Sequence, residues 1–169
     1  MTRFSMVNRK NGKDYHPHYQ RHHLIPMQAA SIPNIRGPLD QMICGGFDFD
    51  NFEKNGVLLP SDEQVAYKTG QPLHRGPHPR YNELVIERLL LIIKICNQIE
   101  NIIQRKAFFH LRIGLLQTVL RPALAGPALP VLRLNNRDPG LASSAFAELD
   151  SCVDALYVAT KWPPLKNQL

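Results

Sequence analysis

At 169 residues, 44% hydrophobic and 20% charged, the chain has the size of one domain with enough apolar material for a core, which excludes a disordered or collagen-like character. Twenty Lys and Arg against 14 Asp and Glu leave a net charge of +6, a balance suited to a polyanionic partner such as nucleic acid or anionic lipid. The three cysteines, Cys44, Cys96 and Cys152, are odd in number and outside any C-x-x-C spacing, which argues against a disulfide framework or a cysteine-built zinc knuckle and for a reducing compartment.

In chain order, residues 1–20 are polar and basic without periodicity and read as an irregular arm, with no apolar segment of the kind a secretory signal needs. "HHLIP" (residues 22–26) predicts a short strand, and "MQAASI" (27–32) a helical turn that Pro33 stops. Residues 34–55, with Gly37-Pro38, Gly45-Gly46 and "FDFDNF", read as loop. The turn dipeptide Asn55-Gly56 then introduces a second strand, "GVLLP" (56–60). Residues 61–79 carry two Gly and three Pro and should stay loop or broken helix.

After Pro79 the pattern changes. Leu84, Val85, Leu89, Ile92, Ile95, Ile99, Ile102 and Ile103 recur at near-helical spacing and predict one long helix of about seven turns over residues 80–106. "AFFHLRIGLLQTVLR" (107–121) predicts another, ended by Pro122. Beyond the proline-rich "PALAGPALP", "VLRLN" reads as extended. A last helix is expected at about residues 143–160, with Phe146, Leu149, Val153, Leu156 and Tyr157 on one face. The most apolar run, residues 89–95, contains Lys94 and is too short for a bilayer, so no membrane partner is expected and the predicted location is the cytoplasm, with delivery as an effector left open. The chain thus reads as two short strands in loops, a long helix directly behind them, and a helical C-terminal half.

The seven histidines are unevenly spread: His16, His18, His22 and His23 form one group, His74 and His78 another, and His110 stands alone. A catalytic divalent ion held by imidazoles needs about three protein ligands and an open position, and His22, His74 and His78 supply that number. Neighbouring strand side chains diverge, so His23 can stand apart from the ion and take a proton from water near neutral pH. Plainer readings stand beside these. His74 and His78 can be a loop pair, His16 and His18 an incidental H-x-H, and His110 a helix surface residue. Asn55 can be a turn residue, and Asp48, Asp50 and Asp62 are loop carboxylates without a calcium-loop spacing. Arg75 and Arg80 flank the candidate site and suit phosphate oxygens, while Arg3, Arg9, Lys10 and Lys13 add nonspecific attraction for a polyanion.

The segments "RHHLIP", "NGVLLP" and "LHRGPHPRYNELVIERL" resemble the AHH-type nucleases of the HNH/endonuclease VII superfamily. The resemblance covers residues 21–89 and has one departure, Arg21 at the alanine that gives the family its name. It implies an α+β, mainly α fold: a small ββα-metal (HNH-like, treble-clef) core at residues 21–105, behind the arm at 1–20 and followed by a helical extension at 106–169, all in one domain. It further implies that His22, His74 and His78 are metal ligands, His23 the general base and Asn55 the residue that orients it. Asn82 is the reserve ligand in place of His74 if the helix begins near Pro77, where His78 and Asn82 would be i,i+4.

The activity implied is cleavage of DNA phosphodiester bonds with little sequence preference, using one divalent ion (Mg, Zn, Mn or Ni). RNA is the alternative substrate. The family also supplies toxin modules of large secreted bacterial proteins, which adds a cognate inhibitor protein as a partner; with its starting Met and short arm, this chain reads as a free-standing member. The oligomeric state is not specified by these motifs. The rivals are a non-catalytic zinc-stabilised nucleic-acid-binding protein, and a helical interaction module at residues 81–160.

Overall fold

A computed structural model describes residues 1–125 and Leu134. The final helix expected at 143–160 lies outside the described residues, as does the extended reading of 131–135 except at Leu134, which is buried and in no regular element. The described chain is mainly helical around one two-stranded antiparallel sheet, an α+β arrangement with a ββα core. No described helix is long and apolar enough to cross a membrane.

Strands β1 (Tyr19–His23) and β2 (Gly56–Pro60) pair antiparallel, with Arg21 opposite Leu58, His22 opposite Val57 and His23 opposite Gly56. β2 lies where its sequence predicts. β1 begins three residues earlier than expected and ends at His23, because Leu24 and Ile25, both fully buried, leave the ladder for the core. The Leu24 N–H then donates to the Asn55 carbonyl at 2.8 Å.

Residues 34–55 are not the continuous loop their glycines and prolines suggest. Pro33 starts helix α1 (Pro33–Met42) instead of stopping the turn before it, and Pro38 lies inside it. Ile35 and Leu39, one turn apart, are fully buried in the core, and that burial outweighs the poor helix propensity of Gly37 and Pro38. A short helix α2 (Phe52–Asn55), capped by the Asn51 side chain, leads into β2. The broken helix expected within 61–79 is α3 (Glu63–Thr69). Asp62 caps it by accepting from Gln64 N and Val65 N, and Gly70 at φ 66° ends it in the left-handed conformation.

The predicted long helix is two helices. α4 (Pro79–Cys96) has Pro79 in its first turn and buries Tyr81, Val85, Leu89, Ile92, Ile93 and Cys96 along one stripe. Asn101 divides the apolar pattern, since its side-chain oxygen accepts from Ile103 N at 3.0 Å and Gln104 N at 3.1 Å and so starts α5 (Ile102–Ala125). α5 absorbs the separate helix expected at 107–121 and continues through Pro122. Leu120, Ala123 and Leu124 are buried on either side of that proline, which offsets the backbone bond it removes. α4 and α5 pack on each other and on α1, and α5 also packs on β2, so one core supports the sheet.

The arm is irregular, as its composition predicts, but it is fastened down. Phe4 is only 7% exposed, and Arg3 forms an isolated antiparallel bridge with Asn51. Asn8, at φ 48°, accepts from His16 N at 2.6 Å and donates to the Tyr19 carbonyl at 2.8 Å, folding the arm back on itself.

Candidate active site

Alternation along β1 sends adjacent imidazoles to different surroundings. His22 is buried, at 5% exposure, and His23 is half-buried. His74 reaches the same place from the loop after α3, where its N–H donates to the Pro60 carbonyl at 2.6 Å, and His78 is the residue that caps α4. The His22 ring centroid lies 4.9 Å from that of His74 and 5.5 Å from that of His78, and the latter two are 4.6 Å apart. One ligating atom from each of the three falls within 4.8 Å of the others, a group of donors that could hold a metal ion.

The hydrogen bonds around these rings leave one nitrogen available on each. His74 Nδ1 faces Gln20 Oε1 at 3.2 Å and His78 Nδ1 faces the Leu134 carbonyl at 3.3 Å; both partners are acceptors, so each Nδ1 carries the proton and each Nε2 keeps its lone pair. His22 Nε2 is buried and has no hydrogen-bond partner among the described residues. A buried polar atom in this state requires an explanation, and a bound ion or water supplies one.

Electrostatics keep the three rings neutral, the form that binds metal. Burial holds His22 well below the usual histidine range, with smaller contributions from His74, His78 and His23. Burial also brings His74 down to about 4, with His78 and His23 adding to it, and lowers His78 against an opposing effect of its bond to Leu134. Tyr81, fully buried on α4, lies edge-on to His22 at 4.9 Å and donates to the Leu24 carbonyl at 2.6 Å. Burial pushes its phenol well above the usual value, so the hydroxyl remains a donor.

His23 stacks on Phe4, with ring centroids 3.7 Å apart and planes 6° from parallel. Burial lowers its pKa most, Asp50 opposes that shift, and Arg21 adds to it. Asn55 is fully buried. Its Oδ1 accepts from Ile25 N at 2.8 Å, and its Nδ2 donates to the carbonyls of Ile25 at 3.1 Å and Phe49 at 3.4 Å. These bonds fix the backbone just beyond His23 rather than the His23 ring. Two residues of α5 support that turn: Gln117 Nε2 donates to Asn55 Oδ1 at 3.4 Å, and the Arg121 guanidinium donates to the carbonyls of Gly56 at 2.5 Å and Glu53 at 2.6 Å.

The remaining residues singled out by sequence lie around this centre. Asn82 directs its amide to Gln28 Oε1 at 3.0 Å. Arg75 is exposed and 3.8 Å from Glu63, and Arg80 is exposed on the first turn of α4. His18 faces Asp62 at 3.9 Å, and no second group of potential metal ligands occurs among the described residues. Sequence reasoning missed Phe4, Gln20, Gln117 and Arg121, and gave Tyr81, part of the motif that carries the resemblance, no role. Gln20 and Tyr81 were signalled by spacing, being two residues before His22 on the same strand face and three residues after His78 in the helix; the others reach the site only through tertiary packing.

A family model described as a nuclease family of the HNH/ENDO VII superfamily with conserved AHH matches residues 4–113. No curated protein and no solved structure matches the chain.

Proposed function

The chain belongs to the AHH family of nucleases and so acts on nucleic acid, and from that premise we propose that it is a metal-dependent endonuclease hydrolysing DNA phosphodiester bonds with little sequence preference. The observation that carries the metal dependence is the convergence of His22, His74 and His78, with ligating atoms within 4.8 Å and the buried His22 Nε2 lacking a partner among the described residues. The donor set of neutral imidazoles suits a borderline divalent ion such as Zn, Ni or Mn, with Mg admissible where phosphate and water complete the shell.

A bound divalent ion supplies Lewis-acid stabilisation of the charge that develops on the phosphate and on the leaving oxygen. His23 accepts the proton of the attacking water and is ready to do so because burial keeps it neutral. Asn55 holds the chain at Ile25 and so sets where β1 delivers His23. Gln20 and the Leu134 carbonyl hold the orientations of His74 and His78. Arg75 and Arg80, exposed beside His74 and His78, take backbone phosphates, contacts that carry no base information. A toxin role with a cognate inhibitor protein is the biological setting we attach to this activity, on the family resemblance.

The test is cleavage of supercoiled plasmid by the purified protein, wild type against His23→Ala, with EDTA and then with Mg, Mn, Zn or Ni restored singly. Nicking abolished by EDTA and by His23→Ala is the expected result. Cleavage of RNA with intact plasmid would reassign the substrate to RNA. Bound zinc without cleavage of either polymer would overturn the catalytic reading in favour of a structural zinc module.

A further inference from the structure

The nuclease reading gives residues 1–6 no task at the active site, yet they are tied to the surroundings of His23. Phe4 N–H donates to the Asp50 carbonyl at 3.0 Å, Phe52 N–H to the Thr2 carbonyl at 2.8 Å, and Thr2 Oγ1 to Glu53 Oε1 at 2.8 Å. The Arg21 guanidinium donates to the Phe4 carbonyl. These bonds lay the Phe4 ring flat on His23 at 3.7 Å, and Phe52 backs Phe4 edge-on at 5.0 Å. Phe52 in turn occupies the space a side chain at position 56 would need, since a Cβ there would lie 2.2 Å from its ring. A packed series thus runs from Gly56 through Phe52 and Phe4 to His23.

The ring torsion of histidine is broad and roughly two-fold, so a half-buried imidazole does not select its own plane. A general base must present one nitrogen within hydrogen-bond reach of the proton it removes. An apolar ring stacked on one face restricts that torsion and competes for neither nitrogen. We propose that Phe4 is a positioning residue for His23, holding the imidazole plane by stacking, and that Arg21 secures Phe4 through the Phe4 carbonyl. The alanine of the family's name has no donor with which to make that bond. The proposal rests on the assignment of His23 as the base.

The experiment compares kcat and KM for plasmid nicking by the metal-loaded full chain as wild type, His23→Ala, Phe4→Leu, Phe4→Tyr, Arg21→Ala and the Phe4→Leu/Arg21→Ala double variant. Melting temperature and metal content verify the fold of each. Phe4→Leu keeps apolar bulk but loses the flat ring; kcat should fall about 10- to 100-fold, the scale of a small misplacement of a catalytic group, with KM within about twofold. Phe4→Tyr restores the ring and should restore kcat. Arg21→Ala should lower kcat less, and the double variant should be no worse than Phe4→Leu, as expected for residues acting as one unit. Proton NMR gives a readout apart from activity, because the His23 ring signals should carry an upfield ring-current shift that Phe4→Leu abolishes and Phe4→Tyr retains.

If His23 is required but Phe4→Leu keeps the wild-type kcat, or Phe4→Tyr fails to rescue, the positioning role is overturned while the nuclease reading stands. If Arg21→Ala raises KM and its effect multiplies with that of Phe4→Leu, Arg21 binds substrate and does not secure Phe4. If wild type cleaves neither DNA nor RNA, or His23→Ala cleaves like wild type, the base assignment fails and the positioning proposal fails with it.

Discussion

The side-chain amide of Asn55 pairs with the backbone of Ile25, thirty residues away, in both directions: Oδ1 accepts from its N–H at 2.8 Å and Nδ2 donates to its carbonyl at 3.1 Å. This two-bond clasp closes the segment between the strands and fixes the exit of β1 immediately after the two histidines.

Replacing Asn55 with Ala leaves the buried Ile25 N–H, and the carbonyls of Ile25 and Phe49, without these partners. Each unsatisfied buried group costs about 1–3 kcal/mol, so with three groups affected Asn55→Ala should lower unfolding stability by at least about 3 kcal/mol. Urea denaturation in EDTA measures this. A loss below about 0.5 kcal/mol would mean that the clasp does not organise the fold.

Metal binding should involve one ion per chain and should stabilise the folded state, because the assembled triad exists only there. We expect Zn or Ni to raise the melting temperature and EDTA to reverse the rise. His22→Ala removes the innermost donor and should weaken binding by about 100-fold, whereas His23→Ala should leave stoichiometry and affinity near wild type. Equilibrium dialysis with elemental analysis distinguishes the two, and equal losses in both variants would contradict the separation of ligand from base.

The metal-free protein should lose stability on mild acidification. The folded-state pKa values of His22, His74 and His78 lie below the usual histidine value, so between pH 6.5 and about 4, the value to which His74 is lowered, the unfolded chain binds more protons than the folded one. Stability from this source is therefore present above pH 6.5 and falls as pH falls, by up to about 1.4 kcal/mol per pH unit for His74, with His22 and His78 acting in the same direction. His74→Gln removes one such group. In EDTA, its stability relative to wild type should improve from pH 7 to pH 5, as read by urea titrations at each pH. Parallel pH dependences in the two proteins would contradict the burial of His74.

What was legible in the sequence, and what was not, follows the range of the interactions involved. The His22-His23 alternation, the Asn55-Gly56 entry to β2 and the stripe of α4 are local signals, and the structure has all three elements. The grouping of His22, His74 and His78 followed from the clustering of histidines and the ligand count of a catalytic ion, and the family resemblance pointed to the same three; no local spacing could show their convergence, since these residues lie on separate elements. α1 was missed because Gly37 and Pro38 speak locally against a helix, and only burial of Ile35 and Leu39 reverses that. The break before α5 was missed because the apolar period runs on through it, while one capping side chain, Asn101, decides the boundary. Phe4 was missed because an irregular basic arm gives no sign of folding back onto β1.

Gly56 is required for space rather than for conformation. Its φ of −117° is open to any residue, but a Cβ would lie 2.2 Å from Cδ2 of Phe52 and 2.6 Å from two further atoms of that ring. Phe52 cannot simply swing away, because Phe4 packs edge-on against it and Phe4 is stacked on His23. Gly56→Ala should therefore cost about 1–3 kcal/mol, the usual range for overpacking, and should also disturb the His23 ring signals in NMR, although residue 56 is not itself proposed to touch substrate. Gly56→Ala combined with Phe52→Ala relieves the clash. Whatever further stability Phe52→Ala loses on its own, adding Gly56→Ala to it should then cost little, and unfolding measurements on the three variants give that difference. An equal penalty for Gly56→Ala in both backgrounds would place its cause in the backbone of β2 and not in the Phe52 ring.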